Sequence, residues 1–93
     1  MNKDNKPEAE KQWSVYILEC SDKSYYTGIT NDINKRLKAH NSKLASKYTR
    51  TRLPVKQAYV KNGLSHSEAA KLEHKIKQLT RKQKIELINA HQS

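Results

Sequence analysis

Ninety-three residues suffice for one small domain and no more. The single cysteine, Cys20, excludes an intrachain disulfide and a finger-type zinc site, and no apolar run reaches membrane-spanning or signal-peptide length, so a cytoplasmic protein is expected. The formal charge of +10 is unevenly spread: no acidic residue falls between Asp32 and Glu68, where Lys35, Arg36, Lys38, Lys43, Lys47, Arg50, Arg52, Lys56 and Lys61 all lie. Such a field rewards a polyanion through counterion release, which makes nucleic acid the leading partner. A membrane surface fits less well, because no stretch joins this charge to a broad aromatic helix face.

Residues 1–12 are polar and mixed in sign, and nothing in them builds a core, so a disordered tail is expected ahead of one domain over 13–93. Trp13 to Cys20 and Tyr25 to Thr30 are rich in β-branched and aromatic residues and are predicted to form two strands of a hairpin. A three-residue loop, Ser21 to Lys23, sets Tyr16 opposite Gly28 and Leu18 opposite Tyr26, with both tyrosines on one face. A four-residue loop separates them. The three-residue form favours glycine at its third position, which here is Lys23, so the sequence leaves both registers open.

Asn31 or Asp32 can cap a helix running to about Asn41. Ile33, Arg36, Leu37 and His40 share an arc of roughly 100° on it. Arg36 and His40 therefore interrupt the apolar stripe, and an arginine at a buried edge needs an anionic partner. Residues 42–54 read as a basic loop. Val55 to Lys61 reads as a third strand, with Val55, Gln57 and Tyr59 on one face and Ala58 and Val60 on the other, followed by a turn at Asn62-Gly63. Ser65 to Leu79 carries a capping box, Ser65 with Glu68, and an apolar stripe of Ala69, Leu72, Ile76 and Leu79 that encloses Glu73. A last helix from about Arg81 to Ala90, capped by Thr80, offers Ile85 and Ile88 for packing. The order ββαβα plus a C-terminal helix predicts an α+β fold, a small three-stranded sheet with helices packed on it.

Tyr16, Tyr26, Arg36, His40 and Glu73 form a set with chemical meaning. Phosphodiester hydrolysis needs an activated water and charge stabilisation at phosphorus. A phenol acts as base only if its pKa falls well below its usual value. An arginine fork fits non-bridging oxygens, and one carboxylate with waters and phosphate can hold Mg²⁺. Taken singly, the tyrosines are ordinary sheet residues, and Arg36 with Glu73 could be a structural salt bridge.

The whole set resembles the GIY-YIG nuclease family. Its two half-motifs correspond to Ser14-Val15-Tyr16 and Tyr26-Thr27-Gly28. The likeness continues through Arg36 and His40 in GITNDINKRLKAHN, through KYTRTRLP at 47–54, and to Glu73 in KLEHKIKQL, spanning about Trp13 to Leu87. It is strongest to the small standalone bacterial members. The resemblance implies a GIY-YIG-like fold and a metal-dependent endonuclease acting on DNA, with branched or flapped DNA among its substrates. It implies Tyr16 as general base or water-positioning phenol, Tyr26 at the phosphate or attacking water, Arg36 on the transition state and His40 bonded into the tyrosine pair. Glu73 would ligate one Mg²⁺ or Mn²⁺. Gly28 would leave room for the substrate backbone, and Tyr48, Lys47, Arg50 and Arg52 would bind substrate. Homing, repair and restriction relatives carry extra DNA-binding modules, for which this chain has no room, so a protein partner is a further expected source of specificity. The competing reading is a non-catalytic nucleic-acid-binding module or partner subunit on the same fold.

Overall fold

The structure, a computed structural model, describes residues 11–92. Of the tail expected to be disordered, residues 1–10 lie outside the described residues; Lys11 reaches Glu68 at 3.8 Å, with both side chains half exposed. Three strands, β1 (Trp13–Glu19), β2 (Tyr25–Thr30) and β3 (Lys56–Leu64), make an antiparallel sheet in the order β2-β1-β3. Helix α1 (Ile33–Asn41) and a short α2 (Lys47–Arg50) stand between β2 and β3, and α3 (His66–Lys77) and α4 (Arg81–Gln92) complete the chain. Among the described residues no helix is long and apolar enough to cross a membrane.

Central strand β1 explains the layering. Its side chains alternate between faces, and both faces are covered. Val15 and Ile17 pack with Tyr59, Ala69, Ile76 and Ile88 beneath α3 and α4. Tyr16, Leu18 and Cys20 pack with Val55, Tyr26, Ile33, Leu37 and Leu53 on the side of α1. Each buried aliphatic side chain contributes about 1.5–3 kcal/mol, so two small clusters hold the domain together.

The caps follow the sequence. Asp32 accepts from the Lys35 amide at the start of α1. Ser65 and Glu68 complete the capping box of α3, worth about 1 kcal/mol. Thr80 accepts from the Gln83 amide, and the Gln83 side chain takes the Thr80 amide in return.

Three expectations need correction. The predicted loop over 42–54 contains α2, with Ser46 as its cap. Tyr59 of β3 packs with the cluster beneath α3 and α4, while Val55, just ahead of the strand, packs on the side of α1, so the two do not share a face. The cause is a bulge: Tyr59 opposes Ile17 and Gln57 opposes Leu18, leaving Ala58 as an extra residue that resets the alternation. Asn62-Gly63 is not a turn between elements but a second bulge within β3, between the Lys61–Val15 and Leu64–Trp13 pairs. Gly63 adopts φ +76° there, and the Ser14 hydroxyl donates to Asn62 Oδ1 at 2.6 Å.

Candidate active site

The hairpin decides whether a site can exist, and it takes the three-residue register. Tyr16 opposes Gly28, Leu18 opposes Tyr26, and the Cys20 amide donates to the Ser24 carbonyl at 2.9 Å. Lys23 occupies the position that favours glycine and adopts φ +70°. A non-glycine residue there costs about 1–2 kcal/mol. Local bonds offset that cost: the Lys23 amide donates to Cys20, Arg81 donates to the Lys23 carbonyl at 2.8 Å, and Asp22 accepts from the amide and hydroxyl of Ser24.

With that register the rings of Tyr16 and Tyr26 stack at 6.3 Å between centroids. Gly28 is required for a reason the sequence reading did not identify. A Cβ at position 28 would stand 2.5 Å from Tyr16 Oη and 2.7 Å from its Cζ. The room that glycine leaves is occupied by the Tyr16 phenol, not kept open for a substrate backbone.

Helix α1 brings His40 over these rings. Its end is fixed by a Schellman pattern: Lys43, at φ +67°, donates to the His40 carbonyl, and Leu44 donates to that of Ala39 at 2.8 Å. His40 is 1% exposed. Its Nε2 lies 3.0 Å from Tyr16 Oη, and its Nδ1 lies 2.8 Å from Thr49 Oγ1. The Thr49 hydroxyl in turn donates to the Ser46 carbonyl. One assignment gives all three protons an acceptor: Nδ1–H to Thr49, Thr49 to Ser46, and the Tyr16 hydroxyl to His40 Nε2. The reverse tautomer leaves the Tyr16 proton without an acceptor. Thr49, fully buried on α2, is thus the site residue that sequence reasoning missed. A four-residue helix is too short for periodicity to reveal, and the only signal was Ser46 as a cap ahead of KYTR.

Burial, and then the neighbouring Tyr26, holds the Tyr16 phenol well above its ordinary pKa; Glu73 adds to the rise, and Arg36 opposes it. Burial, with Arg36 second, pushes the His40 imidazole below its usual range. At neutral pH the pair is therefore a neutral phenol donating to a neutral imidazole. Tyr16 is 2% exposed, whereas Tyr26 is half-buried, so Tyr26 is the phenol that meets solvent.

Arg36 departs from expectation. It is exposed, and among the described residues no ion pair joins it to a carboxylate. Of α1, His40 is buried and Ile33 and Leu37 pack partly against the sheet, while Arg36 lies at the rim, in a cleft of about 280 Å³ with Thr30, Asn31, Asp32, Lys35 and Ala39. Its charge still reaches both Tyr16 and His40. Glu73 comes from α3 and affects Tyr16 electrostatically. Its side chain is 24% exposed, and its ion-pair partner is Lys77 of the same helix at 3.4 Å, not Arg36.

The basic segment divides into two uses. Lys47 and Arg50 are exposed on α2. Arg52 is engaged: its guanidinium donates to Asp22 Oδ2 at 2.9 Å and to the Tyr48 carbonyl at 2.8 Å, and lies 3.9 Å from the Tyr48 ring centroid. Tyr48 stands 6.1 Å from Tyr26.

For a metal, no group of three or more His, Cys, Asp or Glu side chains converges among the described residues. Glu73 offers a single hard oxygen donor. That fits Mg²⁺ or Mn²⁺ held mainly by water and phosphate, and does not fit zinc.

A three-stranded antiparallel sheet with a tyrosine pair on one face, an Arg-x-x-x-His helix above it and a glutamate from the helix behind defines a domain of the GIY-YIG class. The GIY-YIG catalytic domain family matches residues 12–86, and the chain belongs to that family. Several of its relatives carry the UPF0213 name. A UPF0213 protein of Clostridium perfringens is 51% identical over 82% of each chain, and one of Oceanobacillus iheyensis is 47% identical over 85% of this chain and 92% of that one. The solution NMR structure of a UPF0213 protein from Bacillus halodurans is similar at 41% identity and a TM-score of 0.56, covering 84% of this chain and 83% of that one. The solution NMR structure of a protein from E. faecalis is similar at 39% identity and a TM-score of 0.57, covering 83% of this chain and 82% of that one.

Proposed function

We propose that the protein is a metal-dependent endonuclease that hydrolyses DNA phosphodiester bonds in the cytoplasm. The observation that carries this reading is the buried chain Tyr16–His40–Thr49 beside an Arg36 with no ion pair to a carboxylate among the described residues. A phenol with so high a pKa cannot be a base by itself. It can pass its own proton to His40 Nε2 while its oxygen takes one from the attacking water. The water oxygen then bonds to phosphorus, and the leaving oxygen departs with the bonding electrons and is protonated by solvent. Tyr26 holds the water or a phosphate oxygen at the solvent side. Arg36 neutralises the non-bridging oxygens, an effect worth about 10²–10³ in rate. A divalent ion on Glu73 would supply further positive charge to the phosphoryl oxygens when bound. Lys47 and Arg50 supply phosphate contacts that do not depend on sequence.

The Lys77–Glu73 ion pair favours a second reading, in which the domain binds nucleic acid without cutting it, alone or beside a partner protein. The test is cleavage of single-stranded, duplex, flap and junction DNA with and without Mg²⁺ or Mn²⁺, using Glu73→Gln and Arg36→Ala as controls. Metal-dependent cutting lost in both variants, with binding kept, supports the nuclease. No cutting of any substrate, with both variants indistinguishable from the parent, supports the binding module.

A further inference from the structure

A second concavity of about 220 Å³ opens at the outer edge of β2, lined by Tyr25, Tyr26, Thr27, Tyr48, Lys77 and Lys84. Its lining holds three phenol rings and two ammonium groups and no carboxylate. Among the described residues, Tyr48 is one of two large apolar side chains left exposed, at 38%. The ring is not loose. Arg52 covers one face at 3.9 Å, and Arg52 is itself pinned by Asp22 and by the Tyr48 carbonyl. The Tyr26 ring stands 6.1 Å away and tilted by 41°, too oblique for the two rings to satisfy each other by stacking. An aromatic surface backed by a fixed cation, exposed and flanked by lysines, suits a flat π-system that carries phosphate.

We propose that this cleft receives an unpaired nucleobase stacked on Tyr48, with Lys84 meeting the adjoining phosphate and Lys77, paired with Glu73 at 3.4 Å, at the cleft wall. A base inside a duplex has both faces covered by its neighbours, whereas an unpaired one can lie on this ring without breaking a base pair. Tyr26 belongs both to this cleft and to the Tyr16–His40 site. The preferred substrate is therefore DNA in which a single-stranded nucleotide adjoins the phosphate held at Tyr26. The stacking is tolerant of base identity, because every base presents a π-face. The placement relative to the cut bond rests on the nuclease reading; the base-binding cleft does not.

Equilibrium binding in EDTA separates the two. The full chain is titrated into a blunt duplex and into the same duplex bearing a short single-stranded overhang, with 2-aminopurine as the first unpaired base. The parent protein binds the overhang DNA more tightly and quenches the 2-aminopurine. Tyr48→Ala lowers the overhang-over-blunt affinity ratio by about 5- to 100-fold and abolishes the quench, while Tyr48→Phe keeps both. Should Tyr48→Ala lose its fold by circular dichroism, Lys84→Gln serves, lowering the slope of log affinity against log salt on overhang DNA by about one. Equal affinity of the parent for the two DNAs, an absent quench, or a Tyr48→Ala loss equal on both overturns the proposal. Absence of cutting when metal is added counts against the nuclease alone and leaves this result standing.

Discussion

Tyr16 Oη lies 3.0 Å from His40 Nε2, joining the middle of the central strand to the last turn of α1. Two further members of the site serve this contact directly. Gly28 clears the space for the phenol, and the three-residue hairpin puts Gly28 opposite it. Thr49 holds the far nitrogen of the imidazole.

Thr49→Val removes the acceptor for His40 Nδ1–H and leaves a buried donor unsatisfied. A loss of about 1–3 kcal/mol in unfolding free energy is expected. On the proposed nuclease reading, cleavage falls mainly in kcat, because the tautomer that presents a bare Nε2 to Tyr16 is no longer selected. Thr49→Ser restores both. Nitrogen chemical shifts of His40 check the tautomer directly: Nε2 is unprotonated in the parent and mixed in Thr49→Val.

Gly28→Ala places a methyl group against the Tyr16 ring and costs about 1–3 kcal/mol in urea unfolding. The clash is with one side chain, so Gly28→Ala combined with Tyr16→Ala costs less than the sum of the two singles. A double-mutant cycle with no coupling would mean that the glycine serves something other than Tyr16.

Lys23→Gly relieves a left-handed residue at φ +70° and stabilises the hairpin by about 0.5–1 kcal/mol, since glycine's greater freedom when unfolded offsets part of the gain. The Arg81 bond to the backbone carbonyl survives the change. Lys23→Val, β-branched at the same φ, destabilises. Thermal melts of the three proteins give the order.

Stability should fall off on both sides of neutrality. His40 has a depressed pKa when folded, so the unfolded chain binds more protons as pH drops below about 6.5, and stability is lost progressively from there downward. Tyr16, Tyr59 and Cys20 are held above their ordinary values chiefly by burial, so their contribution is intact below about 8.5 and is lost as pH rises past that. On the proposed nuclease reading, the same His40 shift moves the acid limb of kcat/KM to lower pH than an ordinary histidine would give. Urea midpoints and single-turnover rates across pH check the two halves.

Much of this arrangement was legible in the sequence because it rests on local chemistry. The caps at Asp32, Ser65 and Thr80, the strand composition of 13–19 and 25–30, and the His40 face of α1 follow from residue type and spacing. The hairpin register was half legible: Lys23 argued against the form that occurs, and tertiary bonds from Arg81 with the Asp22–Ser24 turn override that preference. The β3 faces were not legible, because a bulge at Ala58 depends on how β3 meets β1 and not on its own residues. Arg36 shows the limit of a helical wheel, which gives an angle but not how far the sheet beneath α1 extends. Thr49 and the pinned Arg52–Tyr48 pair lay in a segment whose composition reads as loop.

The most direct measurement is single-turnover cleavage of end-labelled DNA in Mg²⁺ by the parent protein and by Tyr16→Phe, which keeps the ring and removes only the hydroxyl that faces His40. The account predicts metal-dependent cutting by the parent, a loss of about 10²–10⁴-fold in Tyr16→Phe and unchanged DNA affinity. Cutting by Tyr16→Phe at the parental rate, or no cutting by either protein, would contradict it.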